Sequence, residues 1–412
     1  PPFSSRRRHT RYADRSRGLG DVYKRQGTTG ATVPDQGGVV LSLERMNQLI
    51  KMDSANRYLI AEPGMINQHI QEIASKHGFF WPPDPTSAEY CTLGGNLAYN
   101  SAGPRAVKYG TPRENTLGLK AVTGTGELIQ TGVYTTKGVV GYDLTRLLFG
   151  SEGTLAIITE ATLKLTPLAE KLITLQAIYA DSHSASRAVS SIMGQAVIPC
   201  ALEIMDRHAI NMIRDYADID LPDAGAILMI EVDGNPESLP YAVEAIETAC
   251  RNPGLIKLAK AADENERQSL WRIRKALSPA LRNIAPKKIN EDVVVPVSNI
   301  PALFDGLDHL AEQYAIRIVN FGHAGNGNIH VNLLVNPQDA QQMRAAEACL
   351  SDVFDLVLKL DGTLSGEHGV GLEKRDFISR EINPATLQLM RQIKQQFDPH
   401  QILNPGKMLP SS

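Results

Sequence analysis

The sequence predicts an α+β chain of two or three domains, on three observations. At 412 residues it is too long for one typical core. From Gly27 to about Leu165, short apolar runs alternate with glycine and proline clusters, and from about Lys171 a strand, helix, strand pattern occurs twice.

Residues 1–26 stand apart from this pattern. Eight Lys/Arg against two Asp give them a net +6, which leaves −9 elsewhere in a chain whose total is −3. An Arg- and Ser-rich, acid-poor start has the composition of a transit peptide, and a basic arm can bind nucleic acid. The segment has no initiator Met, however, and runs into a partial glycine-rich motif, GTTGATVPDQGG. It resembles translated adaptor sequence and is read as a non-native read-through, with the natural chain expected to begin earlier and no nucleic-acid partner expected.

In the first domain, RYLIAEPG (57–64) reads as a strand ending in a turn. MINQHIQEIASKHG (65–78) reads as a helix with Ile66, Ile70 and Ile73 on one face and Gly78 as its C-cap. LKAVTGTGELIQTG (119–132) reads as a hairpin closed at Gly124–Gly126. In the second domain, LITLQAIYA, SASRAVSSIMGQA and ALEIMDR are followed by AILMIEVDG, SLPYAVEAIETAC and LIKLAKA. The pattern predicts a ferredoxin-like antiparallel sheet with helices on one face. A long polar helix, ENERQSLWRIRKALSPALRN, then places Trp271, Arg274 and Ser278 on one face. A further helix is expected from Asp339 to about Leu360.

Cys91, Cys200, Cys250 and Cys349 are scattered without CxxC or Cys/His spacing. A reduced compartment and no iron–sulfur cluster of the chain's own are expected. No apolar run approaches the roughly 20 residues of a membrane span. The expected location is cytoplasmic, peripheral to a membrane only through partner subunits.

Two glycine clusters carry the first functional signal. Gly94, Gly95, Gly103, Gly150 and Gly153 allow backbone to approach a ligand and turn its N–H groups inward, while Ser87, Asn96, Ser101, Ser151 and Thr154 add short polar side chains. Such loops suit a pyrophosphate or a polar heteroaromatic ring, and tight turns alone are the other reading of each cluster. Neither a GxGxxG after a strand nor a P-loop lysine pattern is present.

The second signal is FGHAGNGNIH (321–330). With Asn326 and Gly327 as the centre of a type I′ hairpin, 323 pairs with 330 and the two histidines lie opposite each other, roughly 5 Å apart at Cβ. That separation suits two ligands of one metal ion. Glu367 and His368 in SGEHGVG are adjacent and diverge. Glu367 can complete a His, His, carboxylate set for Zn²⁺ or Mn²⁺, and His368 can serve as a general base. Arg274 read from its neighbours alone is expected in an ion pair with Glu264 or another nearby acid.

PPDPTS, LGGNLAYNSAGP, YG at 109–110, GYDLT, GSEGTLAIITEATLKL, FGHAGNGNIHVNL, SGEHGVG and FDPHQILNPGKM occur in this order. Together they resemble the flavin-linked 2-hydroxy-acid oxidoreductases of the vanillyl-alcohol-oxidase superfamily, the group of glycolate oxidase flavin subunits and FAD-dependent D-lactate dehydrogenases. The resemblance implies a two-domain flavoprotein of that type: an FAD-binding α+β domain at 27–168 and a ferredoxin-like substrate (cap) domain at 169–412, whose C-terminal tail returns to the flavin. It implies FAD contacts from Pro83, Asp84, Ser87, Gly94, Gly95, Asn96, Ser101 and Gly103, from Gly150, Glu152, Gly153 and Ile157, and from Asn404. It assigns His323, His330 and Glu367 to the metal, His368 to proton removal and Arg274 to the substrate carboxylate, with Ser278 one turn further on. Ala156 stands where the family usually has Gly, only Gly27–Gly30 remains of its pyrophosphate loop, and Asn290 stands near the place of a lysine found in some relatives.

The implied reaction is oxidation of a small D-2-hydroxy acid, glycolate or D-lactate, with hydride transfer to flavin N5. Reoxidation would need an iron–sulfur subunit, an electron-transfer flavoprotein, a cytochrome or oxygen. The alternatives are the same chemistry on D-2-hydroxyglutarate, or a non-catalytic, flavin-poor docking subunit of a membrane-associated oxidase complex.

Overall fold

The computed structural model describes residues 27–35, 37–217, 221–284 and 286–410. The expected read-through segment lies outside the described residues. Two compact units divide the chain: the described residues of Pro1–Gly103, Gly110–Leu168 and Glu367–Ser412 form one, and those of Pro104–Tyr109 and Ala169–Gly366 the other. The segment from Glu367, whose tail the sequence expects to return to the flavin, belongs to the first unit.

The first unit contains β1 (Leu49–Asp53), β2 (Tyr58–Ala61), β3 (Phe79–Phe80), β4 (Thr116–Thr123), β5 (Leu128–Gly132), β6 (Ala156–Lys164) and β7 (Thr166–Pro167). Five of these form an antiparallel sheet in the order β1-β2-β6-β4-β5, and β3 pairs with β7. The helix Asn67–Ser75 buries Ile70 and Ala74 in a core with Leu59, Trp81 and Leu163, and Ile73 packs against the same core. Its C-cap is Lys76, and Gly78 follows two residues later with φ of +80°. The β4–β5 hairpin closes over Gly124–Gly126, with Thr123 N–H bonded to Glu127 O at 3.0 Å.

A buried lysine ties the C-terminal segment into this unit. In the helix Pro384–Phe397, Lys394 Nζ donates to Thr154 O (2.7 Å), to Leu403 O (2.9 Å) and to the Asp398 carboxylate. Asp398 also accepts from the backbone N–H groups of Leu403 (2.8 Å) and Ile402 (3.0 Å).

The second unit is built on β8 (Lys171–Tyr179), β9 (Ala201–Asp206), β10 (Ala226–Gly234), β11 (Leu255–Lys260), β12 (Lys287–Val294), β13 (Arg317–His323) and β14 (Asn328–Val335). They form one antiparallel sheet in the order β11-β8-β10-β9-β13-β14-β12. The first four strands have the ferredoxin-like order, and the last three extend the sheet beyond β9.

The helices differ from expectation in covering both faces. Every residue of β9 and β14 is buried, which requires cover on each side of the sheet. Met205, Met229 and Phe321 meet the helices Arg207–Ala217 and Glu264–Ile284. The helices Ser182–Met193, Leu239–Cys250, Ile300–Tyr314 and Ala340–Lys359 also contact strands of this sheet. Arg207–Ala217 is absent from the sequence pattern because it follows β9 without a break.

Burial pushes the Asp398 carboxyl pKa up, but its bonds to Lys394 and to the Leu403 and Ile402 amides leave it below the ordinary value. Its contribution to stability is present above the ordinary carboxylate pKa near 3.9 and is lost as pH falls through the lower folded value. Asp398→Asn is expected to leave the Lys394 ammonium uncompensated and to cost about 3–5 kcal/mol in urea unfolding at pH 7. The difference from the parent should shrink as the pH is lowered below about 4.

Candidate active site

In the first unit the glycine clusters form two differently built turns. Leu93–Tyr99 is a short helix capped by Thr92, whose Oγ1 accepts from Gly95 N–H at 3.2 Å. Gly94 N–H bonds Pro63 O at 2.8 Å, and a Cβ at Gly94 would lie 3.0 Å from Pro63 Cβ. Asn96 is fully buried within hydrogen-bonding reach of Asn67 Nδ2 (3.1 Å) and Ser101 O (3.3 Å). The polar groups described for Gly94, Gly95 and Asn96 are thus used inside the protein, where a loop with inward-turned N–H groups was expected.

The chain then folds back on itself. Asp84 N–H bonds Ala102 O at 2.9 Å, and Asn67 Nδ2 bonds Pro83 O at 2.9 Å. Gly103 has φ of +78°, and a Cβ there would lie 2.6 Å from Asp84 O and from Pro85 Cα. Ser87 anchors the next turn, its carbonyl accepting from the N–H groups of Tyr90 and Cys91.

The second cluster is a left-handed turn. Gly150, Glu152 and Gly153 have φ of +72°, +53° and +68°. Glu152 is not glycine, and its conformation is fixed from the C-terminal segment. Its buried carboxylate accepts from Val370 N–H (2.5 Å) and Gly371 N–H (2.8 Å), and its carbonyl accepts from Asn404 Nδ2 (2.5 Å). Burial pushes the Glu152 carboxyl up against the lowering effect of those amides. Ile157 lies half-buried on β6, opposite Val122. Glu367 Oε2 accepts from Ala102 N–H (3.4 Å) and Gly103 N–H (3.2 Å), and His368 O accepts from Thr29 Oγ1 (3.2 Å).

In the second unit Arg274, His323 and His330 come together on the sheet face beneath Glu264–Ile284. His323 and His330 are buried, with ring centroids 5.3 Å apart and edge to face. Glu203 on β9, also buried, bonds Arg274 Nε through Oε2 at 2.7 Å and His323 Nδ1 through Oε1 at 2.6 Å. Burial alone would raise the Glu203 carboxyl pKa, but its hydrogen bonds and electrostatic interactions with His323 and Arg274 hold it below the ordinary value. The Arg274 guanidinium also stacks over Phe321, 5.0 Å from the ring centre. Glu264, the partner considered for Arg274 in the sequence, instead pairs with Arg267. Asn290 bonds the Asn332 side chain at 2.6 Å. Ser278 lies in the helix, and its side chain is outside the described residues.

The hairpin register corrects the expected geometry. His323 pairs with Asn328 and His330 with Phe321, so the loop is Ala324–Gly327 rather than a two-residue turn. Ala324–Asn326 form a 3₁₀ turn, and Gly327 at φ +73° closes it by donating to Ala324 O at 3.0 Å. A Cβ on Gly327 would lie 1.8 Å from Val295 O, which fixes glycine there. The histidines are diagonal neighbours, still on one face. His330 lies opposite Asp292, with Nδ1 3.5 Å from Oδ1, and Asp292 also accepts from Asn328 Nδ2 at 2.7 Å.

Residues 24–132 match the FAD binding domain family and residues 169–408 match the family of FAD linked oxidases, C-terminal domain. The chain belongs to the FAD-linked oxidases. It is 39% identical to the glycolate oxidase subunit GlcD of Bacillus subtilis over 92% of this chain and 81% of that protein. It is 35% identical to a D-lactate dehydrogenase of Archaeoglobus fulgidus over 93% of this chain and 84% of that protein. The fold is shared with p-cresol methylhydroxylase, at a TM-score of 0.74 and 17% identity over 91% of this chain and 80% of that one.

An FAD-linked chain must supply polar groups that meet the cofactor, and the first unit fits that requirement. Ser101 is fully buried, and its hydroxyl has no hydrogen-bond partner among the described residues, a cost of about 1–3 kcal/mol that a bound polar edge would remove. The second unit offers donors suited to a divalent ion, since the Glu203 carboxylate bonded to His323 Nδ1 favours coordination through that ring's Nε2. Sequence reasoning missed Glu203 and Asp292, although Glu203 interrupts the apolar run ALEIM and Asp292 precedes VVVP. Among the described residues no helix is long and apolar enough to cross a membrane.

Gly103→Ala would drive a methyl group into the 84–85 backbone at a left-handed φ. It is expected to cost about 1–3 kcal/mol and to lower the FAD retained per chain after gel filtration, as read from the flavin absorbance.

Proposed function

We propose that this FAD-linked oxidase oxidises a small D-2-hydroxy acid, glycolate or D-lactate, to the 2-oxo acid. The observation that carries the reading is the buried row on the second unit's sheet, where one guanidinium and two imidazoles share a face. Such an oxidation must bind a carboxylate, orient the neighbouring hydroxyl and remove its proton. Arg274 keeps Nε on Glu203 and has its two terminal nitrogens for the carboxylate. His323 and His330, with Glu367 carried over from the sequence as third ligand, would hold a Zn²⁺ or Mn²⁺ ion. His368 takes the hydroxyl proton. When bound, the flavin supplies the electron acceptor and the ion the Lewis acidity.

The Bacillus relative is named as a subunit, which supports a place in a complex with other subunits; an iron–sulfur subunit, an electron-transfer flavoprotein or another acceptor would then reoxidise the flavin, with the chain cytoplasmic and peripheral to a membrane through those subunits. The four cysteines are free buried thiols. A non-catalytic docking subunit would have no use for the Arg274–Glu203–His323 network.

Anaerobic bleaching of the flavin by glycolate, D-lactate and D-2-hydroxyglutarate tests the reading. One of the first two is expected to bleach it. A chelator should abolish the reaction, and His368→Ala should slow it by about 10²–10⁴-fold. A yellow protein bleached by none of the three acids overturns the substrate class, and bleaching by D-2-hydroxyglutarate alone reassigns the substrate.

A further inference from the structure

We propose that Glu203 is the positioning residue of this site, setting the carboxylate-binding and metal-binding halves at one fixed spacing; the role rests on the reading above. Its two oxygens are divided between the halves, Oε2 to Arg274 Nε at 2.7 Å and Oε1 to His323 Nδ1 at 2.6 Å. Both oxygens belong to one planar group on a buried central strand, so neither partner can shift without disturbing the other.

With Nδ1 engaged, His323 has Nε2 as its remaining ligand atom. With Nε engaged, Arg274 has its terminal fork for a carboxylate. A 2-hydroxy acid carries its carboxylate and hydroxyl on adjacent carbons, and a 3-hydroxy acid carries them one carbon further apart. A single carboxylate bridging both binding groups therefore selects the shorter spacing.

Glu231 provides an internal comparison. It is also buried, one strand away on β10, and it bonds Trp271 Nε1 (2.6 Å) and Thr174 Oγ1 (3.0 Å), with Arg267 at 3.5 Å. The same helix covers both acids, but among the described residues Glu231 bonds no imidazole.

The test compares Glu203→Gln and Glu231→Gln in the full-length holoprotein. Glutamine keeps one acceptor and turns an N–H₂ toward the second donor. Glu203→Gln is expected to lower Zn²⁺ or Mn²⁺ affinity by about 10–100-fold and to raise KM for D-lactate or glycolate by about tenfold. The preference in kcat/KM for D-lactate over 3-hydroxypropionate should narrow. Glu231→Gln should lose thermal stability while keeping metal affinity and KM within about twofold of the parent.

Unchanged metal affinity and KM in Glu203→Gln overturn the proposal, and so does equal metal loss in both variants. If Glu203→Gln does not fold, the ¹⁵N spectrum of His323 in the metal-free parent decides: a proton on Nδ1 is expected, and an unprotonated Nδ1 overturns the role. A parent that binds neither ion overturns the metal assignment itself and this inference with it.

Discussion

Removing a carboxylate from water costs several kcal/mol unless donors take the water's place, and in the second unit Glu203 meets that condition through Arg274 and His323. Much of the unit's architecture follows from it. Arg274 must arrive from above the sheet, which requires Glu264–Ile284 to cross this face. The helix meets a second buried acid on the same side: Arg267 and Trp271 reach Glu231 on β10, and Arg274 reaches Glu203 on β9. Positions 267, 271 and 274 lie on one helical stripe, so one helix neutralises acids on adjacent strands. The apolar residues Ile273, Leu277, Ala280 and Leu281 of the same helix join the core beside them, and burial of that core excludes the water that would weaken the ion pairs.

The first unit solves a different problem, since its turns depend on backbone conformations that most residues avoid. Glycine meets the requirement at Gly150 and Gly153, but Glu152 between them carries a side chain at positive φ, a cost of order 1–3 kcal/mol unless the surroundings impose it. They do so through the amides of Val370 and Gly371 and the side chain of Asn404. Residues more than two hundred positions away thus hold the turn. The same bonds hold the segment from Glu367 in this unit.

Local patterns were readable where local physics decides. The doubled strand, helix, strand pattern of 171–260, the helix at 67–75 and the β4–β5 hairpin follow from periodicity and turn residues. Three things were not readable. Arg207–Ala217 starts immediately after β9, with Asp206 accepting from Ala209 N–H at 2.7 Å, so no turn residue separates strand from helix. The cover on both faces depends on where that helix and Glu264–Ile284 settle. The partners of Arg274 and His323 depend on strand register between β9 and β13, a non-local property that leaves only a weak trace, a glutamate within an apolar strand.

The FGHAGNGNIH hairpin shows why a wrong turn can still bring the right side chains together. Side chains alternate across a strand, so shifting the pairing by one residue between two strands would send one histidine to the opposite face. The observed loop has four residues instead of two, and His323 pairs with position 328 instead of 330. The change in pairing is even. Parity is preserved, and both imidazoles remain on the face of Glu203 and Asp292. What changes is their relation, from directly opposed to diagonal, and with it the partners each receives: His330 stands opposite Asp292, and His323 stands within reach of Glu203. Each ring acquires its own carboxylate at Nδ1, an arrangement that a direct pairing across a two-residue turn would not have predicted.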